Sequence, residues 1–386
     1  MPLKIGKVEN FKSLGIKEDF VKGLDEMRIV VPSPIQAKVI PLLLQGHIDF
    51  VGQAQTGTGK TAAFGLPLLH SIKTNKKVVQ GLILCPTREL VQQVAKQLFK
   101  FTKYTDRIFV ESVYGGPNIE KQIASLKRPT HIIVATPGRL IDLVKQKAID
   151  LSDVRTVILD EADEMLSMGF KKELDTILTF MESVESKWLF SATMPDGIKQ
   201  MIKKHLKKDA HSIQLNARNT VNKNIEHQYL ICEEKEKLKE LIKILEAQKE
   251  DRGLIFCRTK EATKELTAKL EEKGMKIGAI HGDLLQKERD KVMRAFKKGT
   301  SQLLISTDIA ARGIDVEGLS FVIHFQLPGK KEYYTHRAGR TARAGKEGIS
   351  LCLVTTEEMK QIRFFEKNLK ISFNQVKQKR TAAAKK

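Results

Sequence analysis

The stretch "RTVILDEADEML", residues 155–166, sets an apolar run directly against four acids. A short β-branched run reads as a buried strand, and the amphipathic stretch after it reads as a helix. The turn between them is therefore loaded with carboxylates. Acids in a first helical turn stabilise it by ~0.3–1 kcal/mol each through the helix dipole, which accounts for one or two of them. A catalytic reading needs a second feature elsewhere in the chain.

The same rhythm recurs. "GLILC" at 81–85, "HIIVA" at 131–135 and "KWLFS" at 187–191 share it in the first half. "GLIFC" at 253–257, "KIGAI" at 276–280, "QLLIS" at 302–306 and "FVIHF" at 321–325 repeat it in the second. Continuous apolar runs alternating with amphipathic segments predict parallel strands with crossover helices, an α/β architecture with two sheets. Unusual polar clusters follow these runs: "CPTREL", "ATPGR", "SAT", "CRT" and "STDIAARGID". Ligands of open parallel sheets bind beyond the carboxyl ends of the strands, so the clusters are expected along one edge of each sheet.

A chain of 386 residues exceeds one ordinary core and predicts two domains. The polar stretch 205–230 places the boundary: a first domain over 1–212, a linker over 213–224, a second domain over 225–370 and a basic flexible tail over 371–386. The 67 Lys and Arg outnumber the 46 Asp and Glu, giving a net charge of +21 and favouring a polyanionic partner, nucleic acid or an anionic membrane surface. No apolar run approaches the roughly 20 residues of a membrane span, and the start "MPLKIGKVENF" lacks the apolar centre of a signal peptide, so a cytoplasmic protein without membrane partners is expected. Cys85, Cys232, Cys257 and Cys352 are too scattered for a zinc pattern or a compact disulfide framework.

The second feature is "AQTGTGKT", residues 54–61, between the short run "DFVGQ" and a helix-forming stretch. Apart from Ala54 in place of the first glycine, it fits the phosphate-loop pattern. Gly57 and Gly59 let backbone N–H groups turn towards phosphate oxygens, Lys60 adds a full charge, and the Thr61 hydroxyl suits Mg²⁺. Asp160, at a strand end, is then the second holder of a nucleotide's Mg²⁺, and Glu161 is placed to orient or deprotonate the attacking water.

With "AQTGTGKT", "LDEAD" and "SAT" in this order, the sequence closely resembles the DEAD-box family of superfamily 2 RNA helicases over roughly residues 9 to 370. The resemblance implies two tandem RecA-like domains, each a mostly parallel sheet flanked by helices, and RNA-stimulated ATP hydrolysis with Mg²⁺. The first domain is then the ATP-binding one, with a Q motif over about 9–37, and the second is the helicase C-terminal one. Gln36 in "VVPSPIQ" would recognise adenine, with Phe11 as the motif's isolated aromatic and Ile29 offering an aliphatic face. The loop residues Ala54, Gln55, Thr56, Gly57, Thr58, Gly59, Lys60 and Thr61 would bind the phosphates, and Gly313 and Asp315 would meet the ribose.

For RNA, the resemblance implicates Pro86, Thr87 and Arg88, then Gly115 and Gly116, then Thr136, Pro137, Gly138 and Arg139 in the first domain. In the second it implicates Arg258, Thr259, Gly282, Gln286, Arg289 and Thr307. Backbone amides and arginines of this kind suit phosphates rather than base edges, so little sequence preference is expected. Asp163, Ser191, Thr193, His336 and Arg337 would couple ATP state to domain closure, and Arg340 and Arg343 in "HRAGRTAR" would supply positive charge to the γ-phosphate. Ala338 and Ala342 stand where the family often has Ile and Gly, and both are expected to be helix-compatible. The implied activity is local, non-processive separation of short duplexes or remodelling of RNA–protein complexes by a monomer, with protein partners in ribosome assembly or RNA decay compatible. An ATP-dependent RNA clamp with little unwinding and a DNA helicase of the same superfamily are the alternatives.

Overall fold

Successive residues of a strand point to opposite faces of its sheet, so a strand buried on both sides must be apolar at every position. Leu82 and Leu84 enter one core with Ile133, Val157 and Leu189. Ile83 enters the other with Ile132, Val134, Ile158 and Phe190. Each such side chain contributes ~1.5–3 kcal/mol on burial, which is why the short strands need helices on both faces.

The computed structural model describes residues 10–55, 57–214, 222–248, 251–311, 318–342 and 346–376. The chain folds as two compact units, Met1–Leu215 and Asn216–Lys386. The first unit holds strands β1 (Phe50–Gln53), β2 (Gly81–Leu84), β3 (Val110–Val113), β4 (Ile132–Ala135), β5 (Thr156–Leu159), β6 (Ser186–Ser191) and β7 (His211–Gln214). They form one parallel sheet in the order β3-β4-β2-β5-β6-β1-β7. Helices Pro34–Leu43, Lys60–Ser71 and Arg88–Phe101 supply Val39, Phe64 and Leu98 to one face. Helices Pro137–Lys145, Lys171–Thr179 and Asp196–His205 supply Leu140, Leu174 and Ile198 to the other.

The second unit holds β8 (Ile225–Ile231), β9 (Gly253–Cys257), β10 (Ile277–Ile280), β11 (Leu303–Thr307), β12 (Phe321–His324), β13 (Gly348–Val354) and β14 (Asn374–Gln375). Their order, β10-β11-β9-β12-β13-β8-β14, repeats that of the first sheet strand for strand, and every pairing is parallel. Two sheets of the expected doubly covered type are therefore present, with the tandem RecA-like topology.

The structure corrects two boundaries read from the sequence. Ile213 and Gln214, assigned to the linker, belong to β7 and pair with Gly52 and Gln53 of β1. The tail assigned from residue 371 is docked as far as 376: Asn374 and Gln375 pair with β8, the Val376 N–H donates to the Tyr229 carbonyl, and Phe373 is buried against His227 and Tyr334. Polar edge strands carry little apolar signal, which is why both were read as irregular.

Close packing at the centre of the second sheet gives a test. A Cβ on Gly253 of β9 would lie 2.0 Å from Cε2 of Phe321, itself buried. Gly253→Ala is expected to destabilise the protein by about 1–3 kcal/mol through overpacking, read as a lowered urea midpoint. An unchanged midpoint contradicts this packing.

Candidate active site and RNA-binding edge

The phosphate loop is shaped by its glycines and closed by its lysine. Gly57 and Gly59 have φ of +78° and +91°, the left-handed region where a side chain is strained. Gly59 caps the helix Lys60–Ser71, and a Cβ there would come 2.4 Å from Nε2 of Gln36. Lys60 is buried, and its Nζ donates to the Ala54 carbonyl at 2.9 Å across the loop. The Thr58 hydroxyl donates to the Gln55 carbonyl at 2.8 Å, and Thr61 is half-buried in the first turn. Thr56 lies outside the described residues.

Gln36 bridges this loop to its own helix. Its Oε1 accepts the Ser33 N–H at 2.8 Å and its Nε2 donates to the Gly59 carbonyl at 3.1 Å, while Ser33 Oγ donates to the Thr58 carbonyl at 2.8 Å. Ser33 was not singled out from the sequence, although the S-x-x-Q spacing of a capping box was there to be read. Phe11, expected as a nucleotide contact, is a core residue: 1% exposed, it packs in the same apolar cluster as Phe20 and Ile35, so its part is to support the segment that carries Gln36. Ile29 is half-buried against that cluster.

The acidic turn after β5 is buried rather than solvated. Asp160 is 3% exposed, its N–H donates to the Leu84 carbonyl, and its Oδ1 accepts the Glu161 N–H at 3.0 Å. Burial pushes the Asp160 carboxyl up to about 7; the Lys60 ammonium opposes this, and Glu161 and Asp163 add to it. Burial, with Asp160 and Glu161 nearby, also holds the Cys85 thiol well above its usual range. Glu161 has φ +53°, a left-handed conformation costing a non-glycine residue roughly 1–2 kcal/mol. Its Oε2 is buried with no hydrogen-bond partner among the described residues. Strain and an unsatisfied acceptor at one residue mark a site shaped for something other than stability.

Asp163 opens the following helix and reaches the end of β6. Its Oδ2 accepts both the Thr193 N–H at 2.9 Å and the Thr193 hydroxyl at 2.7 Å. Ser191 Oγ donates to the Thr193 carbonyl at 2.6 Å. All three residues expected to couple within the first unit therefore meet. Glu164, read as a plain helix-start acid, is instead 5% exposed and accepts from Ser167 Oγ through its carbonyl.

The expected RNA residues of this unit emerge from the three neighbouring strands β3, β4 and β2. Thr87 follows β2 and its Oγ1 accepts the Leu90 N–H, capping the helix that starts at Arg88. Gly115 and Gly116 follow β3, and the Arg88 guanidinium lies within 2.4 Å of where a Gly116 Cβ would be. Thr136 and Pro137 start the helix after β4, with Gly138 open beside them and Pro86 buried at the end of β2. Arg139 donates to the Pro117 carbonyl and to Oε1 of Gln122, both at 3.1 Å. Gln122 was missed; nothing in its sequence context distinguishes it.

The second unit repeats the plan. Gly282 follows β10, Thr307 ends β11, and Arg258 with Thr259 follow β9, again three neighbouring strands. Arg258 Nε donates to the Leu327 carbonyl at 2.7 Å, Thr259 Oγ1 accepts the Ala262 N–H at 3.1 Å, and Thr307 Oγ1 accepts the Ala310 N–H at 3.4 Å. Gln286 Nε2 donates to Asp290 at 2.7 Å and Arg289 Nη2 to the Ala310 carbonyl at 2.7 Å.

Arg337, expected to couple ATP state to domain closure, is 1% exposed and held inside its own unit. It makes a two-pronged pair with Asp308 at 2.5 and 2.8 Å, donates to the Gln326 carbonyl, and lies 4.9 Å over the Phe256 ring. This two-pronged pair, with the Arg337 side buried, fixes the helix Lys331–Ala338 on the sheet. His336 is on that helix, and Arg340, just beyond it, donates through Nε to the His336 carbonyl at 3.2 Å. Ala342 is not helical: its φ is +55°, and Asn222 Nδ2 donates to its carbonyl at 2.7 Å. The alanine thus carries backbone strain where a glycine would not. Arg343, Gly313 and Asp315 lie outside the described residues.

Fold and site together define a nucleotide-hydrolysing enzyme of tandem RecA-like architecture. Residues 33–201 match the family description DEAD/DEAH box helicase, and 236–345 match the helicase conserved C-terminal domain. The chain is 44% identical over 360 residues to the DEAD-box ATP-dependent RNA helicase CshA of Bacillus cereus, covering 93% of this chain and 68% of that one. With CshA of Geobacillus kaustophilus it is 41% identical, covering 95% and 78%. The S. cerevisiae Dbp5 structure bound to RNA and ADP BeF3 superposes with a TM-score of 0.89 at 30% identity, covering 95% of each chain. The chain belongs to the DEAD-box ATP-dependent RNA helicases, which are ATP-hydrolysing enzymes.

The raised Asp160 pKa has a signed consequence. A carboxyl raised on folding from 3.8 to about 7 stabilises the protein fully below the lower value, and that contribution is lost as pH rises through the upper one. Asp160→Asn, which keeps the acceptor for the Glu161 N–H, is therefore expected to raise the urea midpoint of the nucleotide-free protein at pH 8 more than at pH 5. An equal shift at both pH values contradicts the assignment.

Proposed function

We propose that this chain is an RNA-stimulated ATPase that separates short RNA duplexes locally by closing its two units around ATP and a single RNA strand. The observation that carries the reading is the division of labour along the first sheet. The nucleotide residues follow β5, β6 and β1, the RNA residues follow β3, β4 and β2, and β5 and β2 are neighbours. A change at the γ-phosphate reaches the RNA half of the edge through adjacent strand ends.

In this reading Lys60 and the loop amides hold the phosphates, and Glu161 takes the proton of the attacking water with its buried oxygen. Asp163 reports the state of that turn to Thr193. Among the described residues no group of three or more His, Cys, Asp or Glu forms a metal site of its own, so a cation here needs the nucleotide's oxygens. The residues fit Mg²⁺ held in that way, because a buried Asp160 crowded by Glu161 and Asp163 favours a divalent charge beside it. Thr61 and Asp160 would hold Mg²⁺, which would supply positive charge to the nucleotide's phosphates. Arg340 and Arg343 supply positive charge to the γ-phosphate from the second unit when the units close.

RNA phosphates are gripped by Arg88, Arg139, Arg258 and the amides of the Gly115–Gly116 turn, without base readout. A bent single strand held in this way cannot stay paired, and product release reopens the enzyme. The reading is of a monomer in the cytoplasm, and protein partners in RNA–protein assembly or RNA decay are compatible with it.

ATP turnover measured with and without single-stranded RNA tests this reading. Turnover is expected to rise with RNA and not with DNA of the same length; no rise, or an equal rise with DNA, contradicts it. Glu161→Gln is expected to retain ATP and RNA binding and to lose turnover by a factor on the order of 10²–10⁴, as for removal of a general base. Retained turnover removes Glu161 from that role.

A further inference from the structure

The motif residues occupy the carboxyl edge of the first sheet, yet the amino edge beneath β3, β4 and β2 is also built for a ligand. Three residues there lie abreast. The Gln80 N–H donates to the His131 carbonyl at 2.8 Å, and the His131 N–H donates to the Phe109 carbonyl at 2.9 Å.

Each of the three carries a feature the ATPase does not use. Gln80, buried, accepts the Lys73 N–H at 2.9 Å and donates to the Lys73 and Lys76 carbonyls at 2.9 and 3.2 Å, so the loop bearing Lys73, Lys76 and Lys77 is pinned. His131 is 1% exposed, its Nδ1 accepts the Phe109 N–H at 3.0 Å, and the Thr74 backbone lies beside it. Phe109 is 40% exposed although both its backbone groups are bonded and its ring packs 5.5 Å from the His131 ring. A fixed aromatic ring is thus offered to solvent between basic loops.

The charges around it are available. Lys73, Lys76, Lys77, Lys127 and Arg128 are exposed, and no described residue pairs with their side chains. Lys77 and Arg128 both line a cleft of about 170 Å³, with Asp150 and Asp153 also on its wall. A neighbouring cleft of about 430 Å³ takes in Lys73 and Lys76 together with Asp153, and its other acid, Glu185, is engaged by Arg155 at 2.8 Å and His47 at 3.0 Å. Free cations flanking an exposed aromatic suit a single nucleic-acid strand, the cations for phosphates and the ring for an unpaired base.

Geometry supplies the path. Phe109 immediately precedes β3, and Gly115 and Gly116 follow its other end. Four residues of strand span only about 13 Å, and β3 is the outermost strand of the sheet. A strand leaving the Gly115–Gly116 turn can therefore run along β3, whose Val110, Glu111 and Ser112 are half-buried, to Phe109.

We propose that the amino edge formed by Phe109, the 73–77 loop and Arg128 is an auxiliary single-stranded RNA contact that holds the strand after it leaves the helicase site. The proposal rests on the RNA-binding reading above. It gives the enzyme a hold on flanking RNA independent of ATP state.

The test compares a short RNA strand that saturates ATP turnover with the same strand extended by an unstructured tail. For Lys76→Glu, Lys77→Glu and Arg128→Glu combined, affinity for the tailed strand is expected to fall about tenfold or more and its log–log salt slope by about 2, the share of three phosphate contacts. Affinity for the short strand and turnover at its saturation are expected to hold. Phe109→Ala is expected to weaken the tailed strand alone, and ultraviolet crosslinking of the tail to the wild-type enzyme is expected at Phe109. Unchanged affinity for the tailed strand, or equal losses for both strands, would overturn the proposal. A wild type that fails to bind even the short strand would overturn the RNA reading beneath it.

Discussion

The parallel ladder from β5 through β6 to β1 is the constraint on which the site depends. Gln53 lies opposite Ser191, so β1 and β6 end at one level, while Leu159 lies opposite Leu189, so β5 ends two residues earlier. Only then can the Ala54 N–H reach the Ser191 carbonyl at 3.0 Å, Gln53 Nε2 reach the Ala192 carbonyl at 3.3 Å, and Asp163 reach Thr193. A slip of one residue would turn each of these side chains to the opposite face and bury the polar ends in the apolar layers. The two-sided core fixes the register, and the register assembles the chemistry.

Against that rigid frame the acidic turn is held at a cost. Asp160 is buried beside two further carboxylates, Glu161 is in a left-handed conformation, and one of its oxygens has no partner among the described residues. Lys60 offsets part of this charge, and the backbone amide of Glu161 offsets more. The arrangement suits the cation and attacking water proposed for this turn. The second unit makes the opposite choice with Arg337, whose charge is fully matched by Asp308 and which serves to fix a helix rather than to meet a ligand.

Much of this could be read from the sequence because periodicity and motif agree. Seven of the eight apolar runs lie in interior strands, where burial on both faces demands continuous apolar residues, the eighth is the edge strand Ile277–Ile280, and the phosphate loop and acidic turn lie at strand ends. What was misread has a common cause. The edge strands His211–Gln214 and Asn374–Gln375 are exposed and polar, so nothing marked them as strands. The motif position of Phe11 implies a ligand role, but only packing reveals that its ring is internal. Residue type alone makes Ala342 helix-compatible, whereas its φ of +55° is set by the turn it occupies. Gln122 and Asp308 serve the site only through partners distant in sequence, a relation that a linear pattern does not carry.

The central claim is that one hydrogen-bonded contact, Asp163 with Thr193, transmits the state of the acidic turn to the end of β6. A double-mutant cycle of Asp163→Asn and Thr193→Val measures it most directly, read as RNA-stimulated ATP turnover and, separately, as ATP affinity. Each single change should lower stimulated turnover while leaving ATP affinity in place, and the double variant should be no worse than the poorer single one. Losses that simply add, or ATP affinity that falls in step with turnover, would contradict the account.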